Sequence, residues 1–323
     1  MSRLLLRRLA AAIVVAWGVA TLAFLLVQAV PGRAFDELSL QGLPPHAAER
    51  LRVLFGADRP MAVRYIDWIL GLLRGDLGFS LQLRRPVGGL VAEALGNTLA
   101  LTGLALLVQV VVGIAVGCAT AMSRSRWLDR ASSGAAALVY SFPSFWMGLL
   151  LVAAFSIALP WLPVSQMRSI DAEAAGPLAR IGDALRHLVL PCTALALPMA
   201  SGMSLYVRDE MRAALARPFV AAARARGAGR ARVAMTHALR SVLLPVVQIV
   251  GLSIQGVVAG SVVVEVLFAW PGMGRLAYDA LLARDEPLVL ACTLVGALAV
   301  VLGGLLADLA SALLDPRFAA EHR

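Results

Sequence analysis

The sequence predicts an all-α integral membrane protein, and three observations carry that reading. Hydrophobic residues make up 60% of the 323 positions and charged residues only 15%, a balance far from that of a soluble domain. The apolar residues gather into runs of about twenty or more, the length that carries a helix across roughly 30 Å of hydrocarbon. Between the runs, arginine collects on alternate loops, as retention of positive charge on one side of a membrane requires.

About six spans follow in order. The first covers 9–30 after Arg3, Arg7 and Arg8. A basic start before an apolar run imitates a cleaved export signal, but this run is long and further runs follow, so it reads as an uncleaved anchor. The others cover 98–122, 131–159, 187–207, 243–268 and 287–309. Pro143, Pro191 and Pro198 fall inside them and read as kinks, which membrane helices tolerate when neighbours satisfy the freed backbone groups. Cys118, Cys192 and Cys292 each lie in an apolar run, with neither disulfide nor metal spacing, and read as buried structural thiols.

Orientation comes from counting arginines. The 123–130 loop holds Arg124, Arg126 and Arg130 against Asp129, and the 208–242 loop holds eight Arg against Asp209 and Glu210. The alternate loops are balanced, with three Arg and three acids in 160–186 and two Arg and three acids in 269–286. Both chain ends are therefore expected in the cytoplasm. The net charge of +9, carried by 29 arginines without a single lysine, is charge held on that face rather than a sign of nucleic acid. The absence of lysine matches a compositional bias, so no single Arg gains local meaning from it.

The chain divides accordingly. Residues 1–30 form a cytoplasmic tail and first span, 31–97 an external segment, 98–314 a five-helix core containing the cytoplasmic loop 208–242, and 315–323 a cytoplasmic tail. The external segment is too polar to cross. Apolar positions at helical spacing around 47–55 and 61–73, punctuated by Gly56, Pro60, Gly75 and Gly78, predict a small helical cap over an outer mouth. Tyr65 and Trp68 suit either the membrane interface or the packing of that cap.

The 208–242 loop contains the most informative local pattern. Pro218 suits the first position of a helix and Gly227 the residue just past its end. Arg224 and Arg226 then fall at its C-terminal side, where positive charge complements the helix dipole by a few tenths of a kcal/mol. Ala221, Ala222, Ala223 and Ala225 make the helix slim enough to enter a groove, with Phe219 and Val220 as bulky anchors. A second helix from Arg230 to about Arg240 would return to the membrane, with Pro245 marking its entry. A hydrophilic Ala/Gly/Arg helix between two spans has no use within the bilayer, so it is expected to meet a protein in the water.

Here the sequence resembles a known family. Ala222, Ala223, Gly227, Val242, Leu244 and Pro245 match the EAA loop of bacterial ABC importer permeases, whose pattern is Glu-Ala-Ala, three residues, Gly, then a distal aliphatic-x-Leu-Pro. Ala221 stands in place of the Glu, which removes one charge from the pattern. Along nearly the whole chain the sequence is similar to the dipeptide, oligopeptide and nickel permeases. The marks are Arg59-Pro60 with Tyr65 and Trp68, Gly75-Asp76-Leu77-Gly78-Phe79-Ser80, Pro86-Val87, Asn97-Thr98-Leu99 and Phe142-Pro143-Ser144-Phe145. They continue through Val264-Glu265-Val266-Leu267-Phe268-Ala269-Trp270-Pro271-Gly272-Met273-Gly274 to Leu314-Asp315-Pro316-Arg317.

The resemblance implies a multi-pass permease of the bacterial inner membrane, forming half of a pathway for peptides. It implies partners: a second and different permease subunit, two ABC ATPases and an extracytoplasmic solute-binding protein. It also implies an ATPase-docking set of Phe219, Val220, Ala222, Ala223, Gly227, Leu244 and Pro245, and no cofactor in this chain. Nickel chelates and glutathione are alternative solutes within the same family.

The chain excludes being its own motor. A Walker A loop needs the lysine that reaches the phosphates, and this sequence has none. A secondary transporter would place ionisable groups at mid-membrane, whereas Glu265 and Asp308 lie near span ends, where pairing or snorkelling is expected. His46, His187, His237 and His322 are scattered and form no hydrolase or metal motif.

Overall fold

In the computed structural model, residues 2–29, 50, 59–174 and 176–314 are described. The expected helix around 47–55 and the closing 315–323 tail lie outside them. Helix α1 (Ser2–Ala29) leads the chain; α2 (Met61–Leu73) and a two-residue hairpin, β1 (Phe79–Ser80) with β2 (Arg85–Pro86), precede α3 (Val87–Met122). Next come α4 (Arg126–Tyr140), α5 (Ser144–Val152) running into a π-turn at Ala153–Ala158, a 3-10 turn at Ile170–Ala174, and α6 (Pro177–Leu215). The C-terminal third holds α7 (Pro218–Ala225), α8 (Leu239–Leu267), α9 (Met273–Leu282) and α10 (Glu286–Leu314). Among the described residues three helices (α3, α6 and the Glu286–Leu305 part of α10) are long and apolar enough to cross a membrane. Counting α4 with α5 as one broken span makes four.

Three elements differ from the sequence expectation. The run 131–159 is two helices bent by 102° at Ser141–Pro143; Pro143 precedes the first turn of α5, where its missing N–H costs nothing. Pro191 and Pro198, by contrast, lie inside a helix that does not stop for them. Helix α6 has 39 residues, about 58 Å at 1.5 Å per residue, well beyond the roughly 30 Å of a hydrocarbon core. Its last turns take up Arg208 to Leu215, which therefore extend the membrane helix rather than begin a loop. Helix α3 likewise starts at Val87, well outside the expected span.

The bundle is built around α3 against α6. Gly113 and Gly117, one helical turn apart, let the backbones close: a Cβ at Gly113 would sit 2.4 Å from Met203 Cγ, and one at Gly117 2.7 Å from the Ser204 carbonyl oxygen. This is the small-xxx-small device by which membrane helices gain dispersion contacts in place of a hydrophobic driving force. One buried cluster joins Leu101, Ala105, Leu190, Leu195, Val264, Phe268 and Trp270. A second joins Cys118, Ala121, Met203, Val207, Met211, Ala234, Ala238 and Val242. Between them Gln109, 2% exposed, donates from Nε2 to Ser253 Oγ at 3.0 Å.

The helix expected at 61–73 is present as α2. Tyr65 and Trp68 of α2 pack against α1: the Phe24 and Trp68 rings stack at 5.5 Å, Phe24 meets Tyr65 edge-on at 5.3 Å, and Thr21 shares a 2.7 Å hydrogen bond with Tyr65 Oη. Arg64 reaches Glu286 Oε2 at 3.0 Å and Gln28 Oε1 at 2.7 Å, joining α1, α2 and α10. Gly75 and Gly78 both adopt positive φ, 79° and 87°, and the Gly78 N–H closes a turn on Asp76 Oδ1 at 2.8 Å. That turn delivers Ser80, whose hydroxyl donates to the buried Asp285 carboxylate at 2.5 Å.

Candidate docking loop and the outer clamp

Helix α7 is assembled from local signals. Pro218 occupies its first turn and Arg224 its last. The helix ends in a Schellman arrangement: the Ala228 N–H bonds the Ala223 carbonyl at 3.1 Å and the Gly227 N–H bonds the Arg224 carbonyl at 2.9 Å. Gly227 has φ +85°, the left-handed conformation that a residue with a Cβ resists. The expected cap is therefore present.

The two faces of α7 have different neighbours. Val220 (1% exposed) and Ala223 pack on Val233 in a small buried cluster. They are turned toward the chain's own interior and are not the outward anchors that Val220 was expected to be. Phe219, 39% exposed, is open to a partner together with Ala222, Arg224 and Arg226. The helix expected from Arg230 is present, but it does not stop near Arg240: an α-helical turn at Arg230–Arg232 and a π-helical turn at Val233–Ala238 run directly into α8. Pro245 lies inside α8 and is half-buried. Leu244 is helical in α8, and its side chain lies outside the described residues. Structure thus brings Val220, Ala223 and the base of the α8 column together; Pro245 sits further up the same column.

On α4, Asp129 gathers two arginines of α6. Arg208 Nε lies 2.8 Å and Arg212 Nη2 2.8 Å from Asp129 Oδ1. Charge counting treated these as loop charges; they are an ion-pair network that fixes the lower end of α6.

At the opposite end of α8 stands a clamp that the sequence only hinted at. Glu265 is completely buried. Its Oε1 accepts from Thr98 Oγ1 of α3 at 2.7 Å, and its Oε2 accepts from the N–H groups of Gly274 (2.7 Å) and Arg275 (3.1 Å) in the first turn of α9. Thr98 Oγ1 in turn accepts from the Met273 N–H at 2.8 Å. Three amides that a helix start leaves without intrahelical partners are thus satisfied by two side chains from other helices. The carboxylate also complements the positive end of the α9 dipole.

Pairing was the expectation for Glu265, and the partners are backbone amides and a hydroxyl. A Cβ at Gly272 would lie 2.5 Å from the Glu265 carboxylate, and one at Gly274 2.6 Å from Val262 Cα. The Pro-Gly-Met-Gly string is therefore the footprint of this contact. Asn97 Nδ2 donates to the Pro271 carbonyl at 2.9 Å, and Trp270 Nε1 donates to the Asn97 carbonyl at 3.0 Å. The side chain of Asp308 lies outside the described residues. Among the described residues no three His, Cys, Asp or Glu side chains come together as metal ligands.

With this geometry the chain can be set beside known proteins. A family profile described as "Binding-protein-dependent transport system inner membrane component" matches residues 110–320. Its N-terminal counterpart, "Binding-prot-dependent transport system membrane comp, N-term", matches residues 1–102. The chain is 32% identical over 318 residues to the oligopeptide transport system permease protein AppB of Bacillus subtilis, covering 98% of this chain and 99% of that one. It is 33% identical to the dipeptide transport system permease protein DppB of Escherichia coli, over 98% of each chain. A putative peptide permease protein of Brucella suis is 36% identical over 92% of each. Among solved structures, the MetNI methionine ABC transporter in an inward facing conformation has a similar fold. Its TM-score is 0.52 at 18% identity, over 70% of this chain and 96% of that chain.

Proposed function

We propose, from the premise that the chain belongs to the binding-protein-dependent transport system inner membrane component family, that it is one permease subunit of an ATP-driven peptide importer. It is a multi-pass membrane protein of mostly helical structure. In the proposed arrangement six spans leave both termini in the cytoplasm. The chain pairs with a second permease, receives solute from an extracytoplasmic binding protein and takes mechanical work from two separate ATPases.

The observation that carries this reading is α7. It is short and slim, opens on Pro218 and closes in a Schellman cap, and is seated by Val220 and Ala223 on the base of α8, with Phe219 and Ala222 open on its outer side. A helix held this rigidly, with an apolar knob free, is built to be gripped from the cytoplasm. Peptide as solute is supported by the oligopeptide and dipeptide relatives, whose lengths the chain matches.

The test is uptake into proteoliposomes holding the four-subunit complex and its binding protein. Labelled dipeptides and oligopeptides should accumulate with ATP and without a proton gradient. Accumulation that follows the proton gradient and ignores ATP would overturn the assignment. A reporter inserted after Arg212 should read cytoplasmic and one near Gly42 external.

A further inference from the structure

The docking loop and the outer helix α9 are the two ends of one helical column. Residues 230–267 are helical throughout, with the π-turn Val233–Ala238 near the lower end; at 1.5 Å per residue the column reaches roughly 55 Å. Its lower end holds α7 through Val233 against Val220 and Ala223. Its upper end holds α9 through Glu265, with hydrogen bonds to Gly274 and Arg275.

Helix α9 is attached in two chemically different ways. Its apolar face, Met273 and Ala280, packs with Val87, Leu90 and Val91 of α3 and Leu288 and Ala291 of α10. Its polar end is bound to α8 by the Glu265 carboxylate. Gly274 also lies close against Val262 of α8, and the carboxylate adds to that contact two directional bonds that tie the start of α9 to α8. Burying a carboxylate is costly unless its lone pairs are filled. Here both oxygens are filled, by charge-assisted bonds that are about twice as strong as neutral ones.

We propose that Glu265 is a positioning residue of the transport cycle: it fastens α9 to the α8 column, so that displacement of α7 on one face of the membrane is delivered to α9 on the other. The inference rests on the reading of α7 as the helix gripped by the motor. Glu265 acts here as a hydrogen-bond acceptor, with both oxygens engaged. A glutamine in its place retains one oxygen for the two amides and an NH₂ to donate to Thr98, whereas leucine retains neither.

The experiment uses the complete complex with a reporter cysteine on the exposed side of α9, Tyr278→Cys; the three native cysteines are buried. The rate of labelling by a membrane-impermeant maleimide is measured without nucleotide and with ATP trapped by vanadate. In the otherwise native chain the two rates should differ by about threefold or more, as a shifted two-state population requires. The difference should survive Glu265→Gln and also Thr98→Val, which leaves both amide bonds of α9 to Glu265 in place, and vanish in Glu265→Leu, with the ATPase still bound.

Labelling that ignores nucleotide in the native background would overturn the proposal. So would sensitivity that persists in Glu265→Leu, or a Gln variant as insensitive as Leu. Should Glu265→Leu fail to assemble, Glu265→Asp, whose shorter side chain draws the carboxylate back from the Gly274 and Arg275 amides, decides by the same readout: the difference should shrink, and a native-sized difference would overturn the proposal. Failure of the underlying reading is separate and visible first: the ATPase would not co-purify with the native chain.

Discussion

Asp129 on α4 and Arg208 on α6 meet at 2.8 Å, and Arg212, one turn further along α6, shares the same carboxylate oxygen at 2.8 Å. The carboxylate is only 15% exposed, so this pair differs from a freely solvated surface bridge, whose worth is small. Replacing Asp129 with Ala leaves two guanidinium groups close to each other where α6 leads into α7, with Arg208 still paired to Asp209 at 2.9 Å. The thermal midpoint of the detergent-solubilised protein should fall by a few degrees. The double variant with Arg208→Ala should lose less than the two single losses combined, because the second change removes one of the two like charges. Strict additivity in that cycle would show the pair to be incidental.

The α3–α6 contact predicts a steep dependence on side-chain size. At Gly117 a Cβ would stand 2.7 Å from both the Ser204 carbonyl oxygen and Val207 Cβ, and backbone cannot rotate away as a flexible side chain can. Gly117→Ala should cost about 1–3 kcal/mol through overpacking, and Gly117→Val should prevent recovery of folded protein. Gly134→Ala, where nothing lies within 4 Å of the added carbon, is the control and should be neutral or slightly stabilising. Thermal denaturation in one detergent measures all three.

Helix α8 ends on Ala269 at φ +48°, with the Trp270 N–H bonded to the Glu265 carbonyl at 2.8 Å and the Ala269 N–H to that of Val266 at 3.2 Å. A left-handed residue with a Cβ is strained by about 1–2 kcal/mol. Ala269→Gly should relieve most of that strain and raise the thermal midpoint, less the added entropy of the unfolded chain. A lowered midpoint would mean that the methyl group contributes packing worth more than the strain.

Gly227→Val tests the other left-handed cap. The glycine has open space around it, so the penalty is purely conformational. Membrane insertion and yield should hold while ATP-dependent uptake is lost, since the substitution tilts α7 without touching a span. Uptake at the native rate, at equal expression, would sink the coupling role of this loop.

Phe219→Asp and Ala222→Asp probe the outward face of α7. Each places a charge against the proposed groove without a partner, at a cost of a few kcal/mol once desolvated. ATPase recovered by pull-down from the solubilised complex should drop for both and stay unchanged for Ile170→Asp in the 3-10 turn at Ile170–Ala174. Ala223 is unsuitable for this test, because it is buried against Val233 and its substitution would disturb the chain's own packing.

How much of this was legible beforehand depended on the range of the signal. The boundaries of α7 could be read from Pro218 and Gly227 because capping is local chemistry, settled within one turn. The inward turn of Val220 and Ala223 left only a faint trace, two small apolar residues three apart, which an outward anchor shows equally well. The 102° bend at Ser141–Pro143 was hidden because hydropathy records which residues avoid water and says nothing of helix direction. Glu265 gave the weakest warning for the largest structural role: its partners, Thr98 and Gly274, lie on other helices, and only the glycines of Pro-Gly-Met-Gly register their closeness.

The notch made by Gly113 and Gly117 also has a history in the order of synthesis. Helix α3 enters the bilayer before α6 has been made, so for that interval the two glycines face lipid with no side chain to fill the groove. Only when residues 200–207 arrive does the groove close on Met203 and Val207. A nascent chain that stalls between Met122 and Pro177 therefore exposes a gap on a hydrophobic helix, and a finished one does not.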